Sequence, residues 1–248
     1  MRATRPGLFE YEVESIIEAE YLRNGAQFVA YESIVGTGDN ATTLHYVNNR
    51  ARLEAGSLLL VDSGCELDYY ATDVTRTWPV DGRFTPEQRA IYELVLAAQE
   101  ASIAQVRPGV RRNHFHEAAV RTITEGLIDL GLLSGTLDEN VEEKHYRQYF
   151  MHGTGHWLGL DVHDVGDYRD DEDEPIRLQP GMATTVEPGI YIRRDLDCAE
   201  RFKGIGVRIE DDILVTIDGN ENLTAAIPKS VDELESIVGS EGAALARG

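Results

Sequence analysis

The stretch Met151–Asp164, MHGTGHWLGLDVHD, contains three of the chain's seven histidines, which are His152, His156 and His163. The first two are four residues apart, a spacing that puts two imidazoles on one face of a helix. Three interspersed glycines oppose a helix, because each costs about 1 kcal/mol relative to alanine. We therefore predict a strand or irregular segment whose glycines let the backbone approach another element closely. Histidines in such a run indicate metal or proton chemistry.

A pair of carboxylates lies in the segment Ser57–Thr77. Its apolar run Leu58–Val61 is typical of a buried strand, and Asp62 ends that run. After a turn, the residues from Asp73 onward alternate like a second strand. The segment predicts a strand-turn-strand unit that carries two acids, although each acid taken alone could be a turn former or a solvated strand residue.

The last third of the chain echoes this unit. We predict a strand over Gly181–Glu187 that resumes at Ile190–Ile192, and a further strand over Gly206–Thr216. The two-residue period of a strand places Arg208 and Glu210 on one face of the latter. The second unit therefore also carries two acids, Glu187 and Glu210, and the histidine-rich stretch lies between the two units.

Apolar periodicity and capping signals predict helices around these units. They cover Phe9–Asn24, about Thr85–Val106, Asn113–Leu130, Leu137–Arg147 and Val231–Val238. The second of them has the clearest start, a threonine cap at Thr85 followed by proline at the first helical position and glutamine at the third. We predict a single domain over residues 1–238 and a disordered tail over residues 239–248.

The composition narrows the function classes. With 42% hydrophobic residues, the 248-residue chain can bury a sizeable core, and no apolar run approaches the ~20 residues that span a bilayer. A net charge of −21 argues against sequence-independent binding of nucleic acid, which needs a basic surface. The two cysteines are too few for a disulfide framework. We therefore expect a cytoplasmic protein that does not act on membranes or nucleic acids.

Four acids that converge inside a core would be prohibitively costly without cations. Two divalent ions would offset four negative charges, and oxygen donors with one imidazole suit manganese, cobalt or zinc. Such a pair of ions would hold a water whose pKa falls to ~7.

Four motifs carry a resemblance that covers about Arg5 to Val238. They read VDSGCELDYYATDVTRT from Val61, MHGTGHWLGLDVHD from Met151, TTVEPGIYI from Thr184 and GIGVRIEDDILVT from Gly204. Together they resemble the metallopeptidases of the creatinase/methionine-aminopeptidase family, and most closely its Xaa-Pro aminopeptidases. The resemblance implies the α+β "pita-bread" fold, a pseudo-twofold curved antiparallel sheet flanked by helices.

The resemblance also implies roles for individual residues. Five would bind metal, with Asp73 and Glu210 bridging two ions: Asp62, Asp73, His156, Glu187 and Glu210. The catalytic residues would be His152, His163, Glu187 and Arg208, and the substrate-binding residues His45, His152, His163 and Tyr191. Arg208 would contact Asp62 and Tyr191, and Trp157 would either wall the proline pocket or belong to the core.

The activity that the resemblance implies is hydrolysis of the N-terminal Xaa-Pro peptide bond through a metal-bridging hydroxide. The expected cofactor is a pair of divalent ions, Mn(II) first and Co or Zn next, and the expected partners are peptides with proline in second position. A homo-oligomer such as a dimer is also expected. Relatives carry a preceding N-terminal domain that we expect to be absent here. The alternatives are a prolidase that cleaves Xaa-Pro dipeptides and a non-catalytic binding module of the same fold.

Overall fold

The computed structural model describes residues 1–240, so most of the predicted tail over residues 239–248 lies outside the described residues. The α-helices of residues 1–240 are α1 (Glu10–Arg23), α2 (Pro86–Ile103), α3 (Asn113–Asp129), α4 (Leu137–Glu142) and α5 (Val231–Ile237). None of these helices combines the length and the apolar character needed to cross a bilayer. Helix α2 begins as predicted, because the Thr85 side chain accepts a hydrogen bond from the Gln88 backbone N–H and Gln88 caps Thr85 in return.

The strands of the same residues are β1 (Phe28–Val29), β2 (Ile34–Thr37), β3 (Leu58–Ser63), β4 (Cys65–Leu67), β5 (Tyr70–Ala71), β6 (Val74–Pro79), β7 (Ala183–Val186), β8 (Gly189–Ile192), β9 (Ile205–Arg208), β10 (Asp211–Val215) and β11 (Asn220–Asn222). They form antiparallel sheets in the orders β2-β3-β6, β11-β10-β7, β1-β4-β5 and β8-β9. The predicted α+β architecture with antiparallel sheets is confirmed. Its backbone hydrogen bonds divide the strands into four sheets.

The two halves of the chain repeat one arrangement. In the first half β3 pairs with β6, and β4 and β5 lie between them in sequence. In the second half β7 pairs with β10, and β8 and β9 lie between them. Asp62 lies near the end of β3 and Asp73 just before β6, while Glu187 follows β7 and Glu210 precedes β10. Each half therefore presents two acids at matching points.

Side chains alternate between the two faces of β3, and this alternation sets the direction in which the Asp62 carboxylate points. Leu59 and Val61 belong to the large core cluster, together with buried residues of α2 and α3 such as Ile91 and Ile123. Leu60 points the other way and packs with Ile34 and Tyr191 in a separate cluster. Since Asp62 is two residues after Leu60, the burial of the strand's apolar face turns this carboxylate away from the helices.

A buried ion pair joins two strands of different sheets, β6 and β10. Arg76 of β6 and Asp211 of β10 are 3% and 0% exposed, and their Nη2 and Oδ1 atoms are 2.6 Å apart. Arg76 Nη1 also donates to the Glu210 carbonyl oxygen at 2.5 Å, and Lys229 Nζ donates to Asp211 Oδ2 at 2.7 Å. Removing one partner of such a pair costs about 3–5 kcal/mol, because a buried charge is left without compensation. The pair therefore fixes β6 against β10.

Two element predictions are wrong. The segment Gly206–Thr216 is not one strand, since β9 pairs with β8 and β10 pairs with β7 and β11. The chain passes from one sheet to another at Ile209 and Glu210. The predicted helix Leu137–Arg147 ends at Glu142, because Lys144 adopts a left-handed conformation with φ 58° and a short 3₁₀ helix follows.

The histidine-rich stretch is irregular and lies along β7, which confirms the prediction from its glycines. The Thr185 N–H donates to the His156 carbonyl oxygen at 3.0 Å, and the Glu187 N–H donates to the Thr154 carbonyl oxygen at 2.8 Å. An added Cβ at Gly155 would lie 2.0 Å from the Thr185 carbonyl oxygen. Glycine at this position therefore permits the close approach that brings His156 to the sheet.

We expect Gly155→Ala to lower the free energy of unfolding by about 1–3 kcal/mol, because its methyl group would overlap backbone atoms that cannot rotate away. Gly153→Ala is the matched control, since an added Cβ there meets no atom within 4 Å. Urea denaturation of the two variants and the wild type measures the difference. Equal stability of the two variants would contradict the close-approach argument.

Candidate metal centre

The predicted metal ligands line one cavity of about 540 Å³. It also receives the predicted catalytic and substrate-binding residues except Tyr191, so the structure brings together His45, Asp62, Asp73, His152, His156, His163, Glu187, Arg208 and Glu210. These residues come from the loop before β3, from β3, from the segment before β6, from the histidine-rich stretch, from the turn after β7 and from the end of β9 with the two residues that follow it. Sequence positions as far apart as 45 and 210 therefore meet at one site.

Three of the five predicted ligands form the tightest group. Asp73, His156 and Glu210 each contribute one potential ligand atom, and these three atoms lie within 4.8 Å of one another. The other two adjoin this group, because Glu187 Oε1 is 3.8 Å from His156 Nε2 and Asp62 shares a hydrogen-bond partner with Asp73.

The shared partner is Tyr31, which the sequence analysis did not identify. Its hydroxyl oxygen is 2.6 Å from Asp62 Oδ1 and 2.5 Å from Asp73 Oδ1. A tyrosine hydroxyl has one proton, so it can donate to only one of these carboxylates at a time. Tyr31 holds the two acids of the first half together. No spacing pattern marks this tyrosine, which precedes Asp62 by 31 residues.

The tautomer of His156 leaves a lone pair aimed at the acids. Nδ1 lies 3.0 Å from the Trp157 carbonyl oxygen, which can only accept, so Nδ1 carries the proton of the neutral ring. Nε2 is then an acceptor, and it lies 3.3 Å from Asp73 Oδ2, which is another acceptor. Two acceptors at this distance need a proton or a cation between them. A metal ion that binds to Nε2 and to the carboxylates meets this need.

The electrostatics of the acids lead to the same conclusion. Burial raises the pKa of Glu187 to about 7, and nearby Asp73 adds to the increase, although His156 and Arg208 oppose it. Burial followed by the charges of Asp73 and Glu187 raises the pKa of Glu210 well above its usual range. Burial also raises the pKa of Asp62, against the opposing effect of Arg208. Without cations the cluster resists full ionisation, so its four carboxylates and one imidazole fit divalent metal ions.

Arg208 connects the acids to a chain of hydrogen bonds, as predicted for its contacts with Asp62 and Tyr191. Its Nη2 donates to Asp62 Oδ2 at 2.5 Å, and its Nη1 donates to the Tyr191 hydroxyl at 3.0 Å. Its Nε donates to Thr75 Oγ1 at 3.1 Å, and the Thr75 hydroxyl donates to Glu210 Oε2 at 2.6 Å. One guanidinium therefore orients acids from both halves of the chain.

Tyr191 continues this chain to a histidine. It is fully buried behind the cavity wall, and its hydroxyl lies 2.8 Å from His152 Nε2. His152 Nδ1 donates to the Gly153 carbonyl oxygen at 2.7 Å, so Nε2 accepts the Tyr191 proton. Burial, reinforced by Arg208, lowers the pKa of His152 to about 3 and keeps its ring neutral. Tyr191, predicted to bind substrate, contacts His152 and Arg208 instead of facing the cavity.

The other two predicted site histidines, His163 and His45, also lie at the cavity wall. The His163 ring packs edge-on against His156, with centroids 4.3 Å apart, and burial followed by the charge of His156 lowers its pKa. His45 is exposed on the wall. Trp157 is 6% exposed within a separate core cluster and does not line this cavity, so the core alternative for Trp157 is correct.

Comparisons with known proteins agree with this site. Residues 1–217 match the profile of metallopeptidase family M24. The chain is 51% identical to the Xaa-Pro aminopeptidase of Haemophilus influenzae and 48% identical to that of Escherichia coli. Each alignment covers 238 residues, or 96% of this chain, and 55% and 54% of the respective relatives. The chain thus spans about half the length of the curated relatives it matches.

Solved structures give the same result. Pseudomonas aeruginosa aminopeptidase PepP superposes with a TM-score of 0.96 at 52% identity, over 98% of this chain and 55% of that chain. A variant of Escherichia coli aminopeptidase P in complex with substrate superposes with a TM-score of 0.94 at 46% identity, again over 98% and 55%. The resemblance inferred from the four motifs is therefore confirmed. By sequence, fold and the donor set of its cavity, the chain belongs to metallopeptidase family M24.

Proposed function

We propose that this protein is a metallo-aminopeptidase that releases the first residue of peptides with proline in second position. The observation that carries the proposal is the single cavity lined by the five donor residues and by His45, His152 and His163. The relatives that match nearly the whole chain bear the name Xaa-Pro aminopeptidase, which supports the same activity.

The proposed cofactor is a pair of divalent ions, with Mn(II) as the first candidate. Asp73 and Glu210 would bridge the pair, since their carboxylates approach from opposite halves of the chain. Asp62 would complete the site beside Tyr31, and His156 with Glu187 would complete the other. Ions held by these residues would polarise the substrate carbonyl and would lower the pKa of a water to ~7.

The surrounding residues would position protons around the reacting bond. His152 lies beside Glu187, with Nδ1 and Oε2 3.7 Å apart, and would have to release its Nδ1 hydrogen bond to the Gly153 carbonyl oxygen in order to donate that proton to the carbonyl oxygen of a bound peptide. Glu187, which lies beside His152 and His156 on the cavity wall, would pass a proton from the attacking water to the leaving amine. Arg208 and Tyr191 would keep His152 in this tautomer.

The choice of bond follows from the site's chemistry. An Xaa-Pro amide has no N–H to donate, so a site that polarises the carbonyl instead is suited to this bond. The acid-rich cavity would hold the free ammonium group of the substrate, which limits cleavage to the chain end. We also propose a cytoplasmic location, which the two free cysteines support, and a homo-oligomer, which the exposed apolar side chains Phe28, Leu67 and Tyr69 support.

A peptide panel tests the activity with Mn(II)-loaded protein. We expect rapid cleavage of Ala-Pro-Ala, slow cleavage of Ala-Ala-Ala and no cleavage of acetyl-Ala-Pro-Ala, because the acetyl group removes the ammonium charge. Product release is followed by chromatography. Preference for the dipeptide Ala-Pro would identify a prolidase, and no cleavage of any peptide at full metal occupancy would favour a binding module.

Substitutions at two residues of the cavity should distinguish metal binding from catalysis. Asp73→Ala should lose metal and activity together, because it removes a bridging ligand. His163→Ala keeps all five donors, so its metal content should stay near that of the wild type while kcat falls about 10²–10³-fold. Elemental analysis and kinetics on the same samples measure both quantities. Normal metal content in Asp73→Ala, or loss of metal in His163→Ala, would refute the assignment.

Tyr31→Phe should weaken metal binding about 10–100-fold, because it removes the hydroxyl that aligns Asp62 with Asp73. Tyr21→Phe is the matched control, since Tyr21 donates to Ser63 at 3.1 Å and to neither carboxylate. Calorimetric titration with Mn(II) gives both affinities. An unchanged affinity in Tyr31→Phe would mean that the two acids are held by their strands alone.

A further inference from the structure

One carboxylate of the cavity wall has no role in the metal centre. Glu32 lines the cavity, is exposed to solvent and directly follows Tyr31. Within residues 1–240 it forms no hydrogen bond and no ion pair. An uncommitted carboxylate on the wall of a substrate cavity attracts cations, because no positive group of the protein neutralises it.

The other charged groups of the wall are already engaged. Asp62 and Asp73 accept from Tyr31, and Glu210 accepts from Thr75. Among the described residues 1–240, the one guanidinium lining this cavity belongs to Arg208, which is 3% exposed and donates to Asp62 and Tyr191. Glu187 lies 3.7 Å from His152 Nδ1 and 3.8 Å from His156 Nε2, so among residues 1–240 Glu32 is the carboxylate of the wall that remains free for a ligand.

The surface next to Glu32 is apolar. Ile34, two residues further along the chain, lines the same cavity, as do Leu44 and Val47. Ile34 and Leu44 pack in one cluster, and Val47 is 45% exposed at the wall. An aliphatic wall with a carboxylate at its exposed edge suits a side chain with an apolar stem and a cationic tip, which describes arginine and lysine.

We propose that Glu32 is a specificity-determining residue that favours substrates with arginine or lysine as their first residue. Its carboxylate would pair with the side-chain cation while Ile34, Leu44 and Val47 contact the aliphatic stem. This inference rests on the proposed aminopeptidase activity. The Tyr31 hydroxyl bonds to the metal-binding acids Asp62 and Asp73. Since Glu32 is the next residue in the chain, its place on the cavity wall is fixed close to the metal centre.

The effect should be modest and sensitive to salt. Ion pairs between exposed groups change affinity about two- to fivefold, and salt screens them. We therefore expect the wild type to prefer Arg-Pro-Ala over citrulline-Pro-Ala about two- to fivefold in kcat/KM at low ionic strength. Citrulline has the shape of arginine without its charge, so this ratio isolates the charge.

The test measures this ratio in Glu32→Gln, in Glu32→Lys and in Glu125→Gln, an exposed glutamate of α3 outside the cavity. We expect a ratio near one in Glu32→Gln, a ratio below one in Glu32→Lys and the wild-type ratio in Glu125→Gln. High salt should bring the wild-type ratio towards one.

Four results would overturn the inference. The first is an unchanged ratio in Glu32→Gln. The second is an equal loss of kcat/KM for Arg-Pro-Ala, citrulline-Pro-Ala and Ala-Pro-Ala, which would assign Glu32 to the substrate's α-ammonium group. The third is a wild type that cleaves none of these peptides, in which case the proposed function fails as well. The fourth is cleavage of Ala-Pro-Ala without a preference for arginine, which overturns only the role of Glu32.

Discussion

The repulsion among four buried carboxylates is the constraint on which this structure depends. Asp62, Asp73, Glu187 and Glu210 meet in one cavity. They lie in or next to strands whose other face packs against the hydrophobic core. Without cations, burial raises the pKa of Asp62, Glu187 and Glu210, so these three acids would be hard to ionise. The fold accommodates them with donors placed at the edges of the cluster and with a lone pair on His156 that faces the acids. The cluster is thus complementary to positive charge before any ion binds.

Two buried arginines stabilise this arrangement from different sides. Arg208 donates directly to Asp62 and, through Thr75, steadies Glu210, so its charge belongs to the site. Arg76 pairs with Asp211 and donates to the backbone carbonyl of Glu210, so it fixes the strands and not the ligand side chains. Buried ion pairs add little net stability against an apolar replacement, but they define a register. In this fold the register decides whether acids from the two halves meet.

The parts of the molecule that the sequence predicted are those governed by local signals. The start of α2 follows from Thr85 and Gln88, and the backbone approach at Gly155 follows from a glycine among histidines. Tyr31 could not be found in this way, because its contacts with Asp62 and Asp73 exist only after β-strands distant in sequence have packed. The break at Ile209 escaped detection for a related reason. Apolar residues flank the acids Glu210–Asp212 on both sides, as they would in one continuous strand, and only the pairing partners show that the chain changes sheets.

The separation of the ligands along the chain also bears on how the protein folds. Asp62, Asp73, His156, Glu187 and Glu210 come from both halves, and the Arg76 side chain donates to the carbonyl oxygens of Ile227 and Pro228 near the C-terminal end of the described chain. Contacts between residues so far apart in sequence form slowly, because a long loop must close, at a cost in conformational entropy, before the stabilising contacts can form. We therefore expect the cluster to assemble late in folding. High-affinity metal uptake would then act as a kinetic marker of the finished fold, and a nascent chain would stay free of bound ion until its C-terminal segment has docked.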